Sequence, residues 1–221
     1  MNYSIHLIDT TDTYFDEIQN LIAPEKLNWF NGNGYESFSK LINECVSNAD
    51  TELVIILSYK ARPTSEQIQE MVALLESGYA FVSKHDFRCF GLHKELLRKI
   101  GMMDERFNPS GFEDYDLIAR TLKNNLAIHA TLDVHCITAP SRWSLSGTDS
   151  YGGYDFWKQK WWHPNNDVKI IIQMIRDLPN TYNLGPSTGF VFKDRSQTVC
   201  YSWMFDLFTE MTYFDANGSK T

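Results

Sequence analysis

The run Leu53-Val54-Ile55-Ile56-Leu57 limits what this chain can fold into more than any other segment. Five consecutive apolar residues leave no polar face, so both sides of a strand there must be covered, as inside a parallel sheet. The run is strand-length and too short to span a bilayer. Helical patterns flank it. Residues 35–48 place Phe38, Leu41, Ile42 and Cys45 on one face, and residues 64–77 do the same with Ile68, Met71, Val72 and Leu75. Thr64 with Gln67 suits a capping box, and Gly78 stands where a helix stop belongs.

The same alternation runs along the first two thirds of the chain. Ser4 to Ile8 reads as a strand ending at Asp9-Thr10-Thr11-Asp12, and Tyr14 to Ile22 as a helix. Lys26 to Phe30 reads as a strand ending in the turn Asn31-Gly32-Asn33-Gly34. Tyr79 to Ser83, Phe87 to Leu92 and Ala127 to His135 read as strands, and Lys94 to Ile100 as a short helix. This order predicts a doubly wound α/β fold with a mostly parallel sheet, which binds ligands beyond the carboxyl ends of its strands. Those ends carry Asp9, Asn31 to Gly34, Ser58 to Lys60 and the region of Glu113. From Ser141 the pattern loosens into an aromatic, glycine-punctuated stretch. Val168 to Leu178 then reads as a helix, and Phe190 to Phe214 as a strand followed by an aromatic-rich helix. The expected division is a domain over 1–162 and an extension over 163–221 packed on it.

A formal net charge of −8 with scattered acidic residues argues against binding nucleic acid or anionic membrane through a global field. The four cysteines, Cys45, Cys89, Cys136 and Cys200, show no zinc spacing and read as free thiols in a reducing compartment. The N-terminal residues lack the pattern of a signal peptide, so the expected location is the cytoplasm.

Chemistry concentrates in Gly111-Phe112-Glu113-Asp114-Tyr115-Asp116. Three carboxylates within four residues stand at the head of an apolar-periodic segment. Free N–H groups and the helix dipole at such a start keep carboxylates ionised. Two readings stay open: first-turn helix formers, or a general base held at a pocket rim.

The order of motifs resembles glycosyltransferase family 2 and its GT-A fold relatives. Leu7 to Thr13 is similar to the strand-ending element that holds the donor nucleotide, and Asn31 to Gly34 with the helix carrying Asn43 to the family's Asn/Gly-rich turn and helix. The run Phe90 to Phe107, with Gly101-Met102-Met103-Asp104-Glu105-Arg106-Phe107, is similar to the acceptor-side segment that precedes the acidic motif. Gly111 to Asp116 matches that motif, and Tyr154 to Trp161 resembles the family's Tyr-Phe-x-x-Lys-Trp element. Two departures stand out. The family usually has another strand ahead of the one ending at Asp9, and its Asp-x-Asp metal motif is here Ser58-Tyr59-Lys60.

The resemblance implies an inverting transferase that uses a nucleotide-sugar donor, expected to be UDP-linked, and a hydroxyl-bearing acceptor. It makes Asp114 the base, with Glu113 binding acceptor or serving in its place; Asp116 reads as structural. Asp9 and Asp12 would hold the nucleotide, Arg142 and Trp143 would form a lid, and Lys160 would border the donor. His135 is a metal ligand or a hydrogen-bonded strand end. Lys60 with Arg62 either supplies the charge that Mn²⁺ or Mg²⁺ brings elsewhere, or is an exposed strand-end lysine. The competing readings are an inactive GT-A-like domain that binds a sugar or partner, and a phage-type transferase acting on hydroxymethylated DNA bases, which the net charge disfavours.

Overall fold

The computed structural model describes residues 2–9, 15–20, 22, 27–32, 34–83, 87–108, 110–138, 155–157, 160–161, 178 and 181–201. Nine strands and five α-helices are described, in the order β1 (Tyr3–Asp9), α1 (Phe15–Gln19), β2 (Leu27–Asn31), α2 (Phe38–Asn48), β3 (Leu53–Ser58), β4 (Ala61–Arg62), α3 (Ser65–Glu76) and β5 (Phe81–Ser83). There follow β6 (Cys89–His93), α4 (Lys94–Ile100), α5 (Glu113–Lys123), β7 (Ile128–Ala130), β8 (His135–Cys136) and β9 (Val199–Cys200). Seven strands form one sheet in the order β2-β1-β3-β6-β5-β7-β9, and β4 pairs with β8 in a separate ribbon.

Strand β3 explains its own composition. Val54 and Ile56 enter a core with α2, α4 and α5, while Leu53, Ile55 and Leu57 enter a second core with α1 and α3. A strand covered on both faces needs apolar residues at every position. Where Gly91 of β6 crosses beneath α3, an added Cβ would stand 3.0 Å from Leu75 Cδ1, so a side chain there would have to push the leucine aside.

The parallel sheet expected from the alternation is interrupted once. β6 runs antiparallel to both β3 and β5, whereas β1–β2, β1–β3, β5–β7 and β7–β9 are parallel. Only residues 84–88 join β5 to β6. A parallel crossover needs a dozen residues or more, so this link permits only an antiparallel return. The single strand expected over Ala127 to His135 is divided into β7 and β8 by residues 131–134. β1 pairs directly with both β2 and β3, so no strand lies between β1 and β3.

The capping box of α3 is present in both directions, with the Thr64 side chain accepting from Gln67 N and the Gln67 side chain accepting from Thr64 N. Gly78 follows the helix at φ +107°. The C-terminal strand begins later than expected: β9 covers Val199–Cys200 and completes the sheet beside β7. The helix expected over 168–178 and residues 202–214 lie outside the described residues, save Leu178, which is buried. Among the described residues no helix is long and apolar enough to cross a membrane.

Candidate active site

Topology decides which residues can meet. β7 is parallel to β5, and β5 and β3 are each antiparallel to β6, so β3 and β7 point the same way. α5 ends four residues before β7 and packs on it, so its first turn lies toward the carboxyl ends of β3 and β7. Ser58, Asp9 and Asn31 stand at that same end, with Ile8 opposite Ser58 and Asp9 opposite Asn31. Acidic turn and strand ends therefore face one region, although they come from distant parts of the chain.

The chain enters α5 through two residues at positive φ, Gly111 at +111° and Phe112 at +66°. Phe112 occupies the N-cap position and makes no side-chain cap. Capping falls to the acids themselves. Gly111 N donates to Glu113 Oε2, and Tyr115 N donates to Asp114 Oδ1 at 2.9 Å. The carboxylates thus serve the helix start, and the turn stands at the carboxyl end of the sheet.

Their environments differ sharply. Glu113 is 7% exposed, and burial followed by the charge of Asp114 pushes its carboxyl up to about 8. The expectation that every carboxylate of this turn stays ionised fails at Glu113, because desolvation outweighs the helix start. Asp114 is half-buried. Asp116 is fully buried and ionised: burial raises its carboxyl, but Lys160 and Arg120 more than reverse this and hold it below its ordinary value.

Asp116 belongs to a charge cluster that the sequence did not disclose. Lys160 Nζ lies 2.6 Å from Asp116 Oδ1 and 2.9 Å from Asp104 Oδ2, and all three side chains have no exposure. Arg120 Nε donates to Asp116 Oδ2 at 2.9 Å, and Trp161 Nε1 donates to Asp116 Oδ1 at 2.9 Å. Asp104 also pairs with Arg106 at 2.7 Å. Burial opposes its ionisation, yet Arg106 and Lys160 hold Asp104 down at about 2. Lys160, expected to border the donor, is a buried residue whose ammonium ties the helical residues 160–161 to α5 and to the turn before it. Asn43 braces the same turn from α2, donating to Met103 O at 3.0 Å and accepting from Met103 N at 2.9 Å.

At the end of β3 the chain turns through Tyr59-Lys60 into β4. Lys60 is half-buried, and burial followed by the positive charge of Arg88 pulls its ammonium below the ordinary lysine value. Arg88 was read only as part of a strand; its backbone carbonyl accepts from Ser58 N at 2.8 Å, which seats it beside this turn. Arg62 acts as a staple, donating to Glu17 Oε1 and Oε2 at 2.9 and 2.8 Å and to Tyr59 O at 2.6 Å. That geometry fastens α1 to the turn.

His135 lies opposite Arg62 in the β4–β8 ribbon and is exposed. Among the described residues no three His, Cys, Asp or Glu side chains gather to hold a metal ion. The Asp-x-Asp position offers a half-buried serine, a buried tyrosine and a lysine, which do not suit a hard divalent cation that wants several carboxylate oxygens. Metal ligation by His135 is thus without partners among those residues. Asp9 ends β1, while Asp12, Arg142 and Trp143 lie outside the described residues.

No protein-family model and no curated protein matches the chain. Among solved structures it is similar to the mannosyltransferase PcManGT from Pyrobaculum calidifontis, solved in complex with GDP-Man and Mn²⁺. The likeness has a TM-score of 0.50 at 14% identity and covers 80% of this chain; the chain spans 65% of the length of that protein. At such identity the likeness speaks for architecture alone: a mostly parallel α/β sheet flanked by helices, as in that neighbour.

Proposed function

We propose that this chain is a GT-A-type glycosyltransferase that moves a sugar, with inversion, from a nucleotide-diphosphate donor to an acceptor hydroxyl. The observation that carries the reading is the acidic first turn of α5, placed at the carboxyl end of the sheet where α/β folds bind ligands. Asp114 is the base. Its carboxylate takes the proton of the acceptor hydroxyl as that oxygen bonds to the anomeric carbon, and the bond from that carbon to the diphosphate oxygen breaks. The nucleoside diphosphate leaves with the electron pair. Glu113, carrying its proton at neutral pH, leaves the pair with one negative charge and holds the turn through Gly111 N.

Lys60 supplies positive charge to the leaving diphosphate, supported by Arg88 beside it. Arg62 contributes by fixing the turn, since its guanidinium is engaged by Glu17 and by backbone carbonyls. The donor is a nucleotide sugar. A UDP-linked sugar is the finer reading, and PcManGT, which binds GDP-Man, makes the guanosine series its direct rival. In this reading Asp9, which ends β1, holds the nucleotide.

Calorimetry against UDP- and GDP-sugars, with and without Mn²⁺, tests this reading. Metal-independent binding of one series, weakened in Lys60→Ala, is the expected outcome; a strict requirement for Mn²⁺ overturns the role of Lys60. The replaced Asp-x-Asp motif favours a second reading, an inactive domain that keeps only a sugar- or partner-binding role, and absence of binding to every nucleotide sugar would establish it.

A further inference from the structure

The first turn of α5 is fastened in part by groups that the proposed chemistry would disturb. Phe112 at the N-cap provides no side-chain cap, and the acceptors are the carboxylates of Glu113, from Gly111 N, and of Asp114, from Tyr115 N. A carboxyl that takes up a proton is a poorer acceptor, so a turn held by these two alone would loosen as Asp114 gained one. A third fastening does not depend on them. Asp116 N donates to Phe112 O at 3.0 Å. The Asp116 carboxylate takes Lys160 Nζ at 2.6 Å and Trp161 Nε1 at 2.9 Å on Oδ1, and Arg120 Nε at 2.9 Å on Oδ2. Trp157 presses on the same turn, its ring 5.5 Å from that of Phe112 and 6.1 Å from that of Tyr115. Residues 155–157 and 160–161 are helical, and 157, 160 and 161 have the i, i+3, i+4 spacing of one helix face. That face grips positions 112, 115 and 116, with Glu113 and Asp114 between the holds.

We propose that Lys160 and Trp161 are positioning residues of this site, acting through Asp116 to keep the turn in the orientation where the Asp114 carboxylate meets the acceptor hydroxyl. The inference rests on the reading of Asp114 as the base. Neither residue touches substrate in this reading, and the buried charge cluster gains a task beyond stability. Lys160 and Arg120 keep Asp116 ionised in a dry interior, so its hold is the same whether Asp114 is charged or protonated. Low local dielectric strengthens such hydrogen bonds, which makes the hold stiff as well as constant. A base misplaced by about 1 Å loses about a hundredfold in rate. A clamp of this kind therefore acts on turnover and not on binding of the donor.

Amide hydrogen exchange on the full chain tests the proposal, read at Gly111, Tyr115 and Asp116, whose N–H groups close the turn. Trp161→Phe keeps a ring and removes one donor to Asp116. Relative to the amides of β3, exchange at the three positions rises about tenfold, the worth of a hydrogen bond to a charged group. It does not rise in Ile68→Val, a cavity variant of α3 that lowers overall stability from the other core. Trp157→Phe trims the other side of the grip, frees the same amides to a smaller extent, and decides the question should Trp161→Phe not fold. Turnover is followed in parallel as release of nucleoside diphosphate from GDP-mannose and UDP-glucose, with water as acceptor. Trp161→Phe lowers kcat about ten- to hundredfold and leaves KM unchanged. Unmoved turn amides in both tryptophan variants overturn the proposal, and so does faster exchange with kcat unchanged. Unmoved amides beside ordinary turnover remove the clamp and spare the transferase reading. Faster exchange in a chain that binds no nucleotide sugar does the reverse. Where a nucleotide sugar is bound but not cleaved, the amides alone decide.

Discussion

Glu113 and Asp116 lie one turn apart on α5, both deeply buried, and their charge states are opposite. Asp116 meets a lysine, an arginine and an indole N–H, so it stays ionised although no water reaches it. Glu113 meets backbone N–H groups and a second carboxylate, so it holds a proton up to about pH 8. Burial raises both carboxyls; what separates them is the presence of a cation. The contrast divides α5 into a proposed working end, where Glu113 is buried beside Asp114, and a structural end, where Asp116 is matched by Lys160 and Arg120.

The sharpest test acts on the working end. Asp114→Asn should lower turnover by about 10²–10⁴-fold, the usual worth of a general base, with donor affinity unchanged in calorimetry. Turnover equal to that of the unsubstituted chain would remove Asp114 from the mechanism. At the structural end, Lys160→Met leaves Asp104 and Asp116 buried with less compensation. It should cost about 3–5 kcal/mol in denaturant unfolding, the range for breaking a buried pair from one side. A loss below about 1 kcal/mol would mean that the cluster is not the anchor described here.

Lys60→Ala should weaken nucleoside diphosphate binding by about 1.5–3 kcal/mol, the worth of a hydrogen bond to a charged group, while leaving the melting temperature near its original value. The smallest effect is a matter of pH. The Glu113 carboxyl is raised on folding, so the native chain holds a proton that the unfolded chain releases. Its stabilising share is complete below about pH 4.5 and declines as pH rises toward about 8, with a slope of at most about 1.4 kcal/mol per pH unit. Glu113→Gln should erase that decline and be the more stable form at pH 9. Asp104, depressed to about 2, acts with the opposite sign: its share is complete above about pH 4 and is lost as pH falls toward 2. A stability profile that falls on both sides of pH 4–5, losing only its alkaline slope in Glu113→Gln, would confirm the division of α5.

Local features were legible in the sequence wherever a local cause determines the structure. The capping box at Thr64, the boundaries of α4 and the strand at Leu53 depend on residues within a few positions of one another, and each formed as its pattern dictates. The acidic turn was visible for the same reason, as three carboxylates beside a glycine. The ion pairs of Lys160 were not legible because its partners, Asp104 and Asp116, lie 56 and 44 positions away, and nothing near Lys160 announces them. The pairing of Arg62 with Glu17 was hidden in the same way. A cation near a ligand-binding end looked available until α1 brought Glu17 against it.

The amino-acid sequence by itself determined most of the helices and central strands, the α/β class and the acidic turn at Glu113, because periodicity, capping and acidic clustering are short-range properties of the chain. Tertiary structure alone decided the pairing of Lys160 with two distant aspartates and the protonation of Glu113. Each of these depends on which distant groups share a small volume and how much water they exclude. Charge interactions in a dry interior are set by such neighbours in space, whatever their separation along the chain.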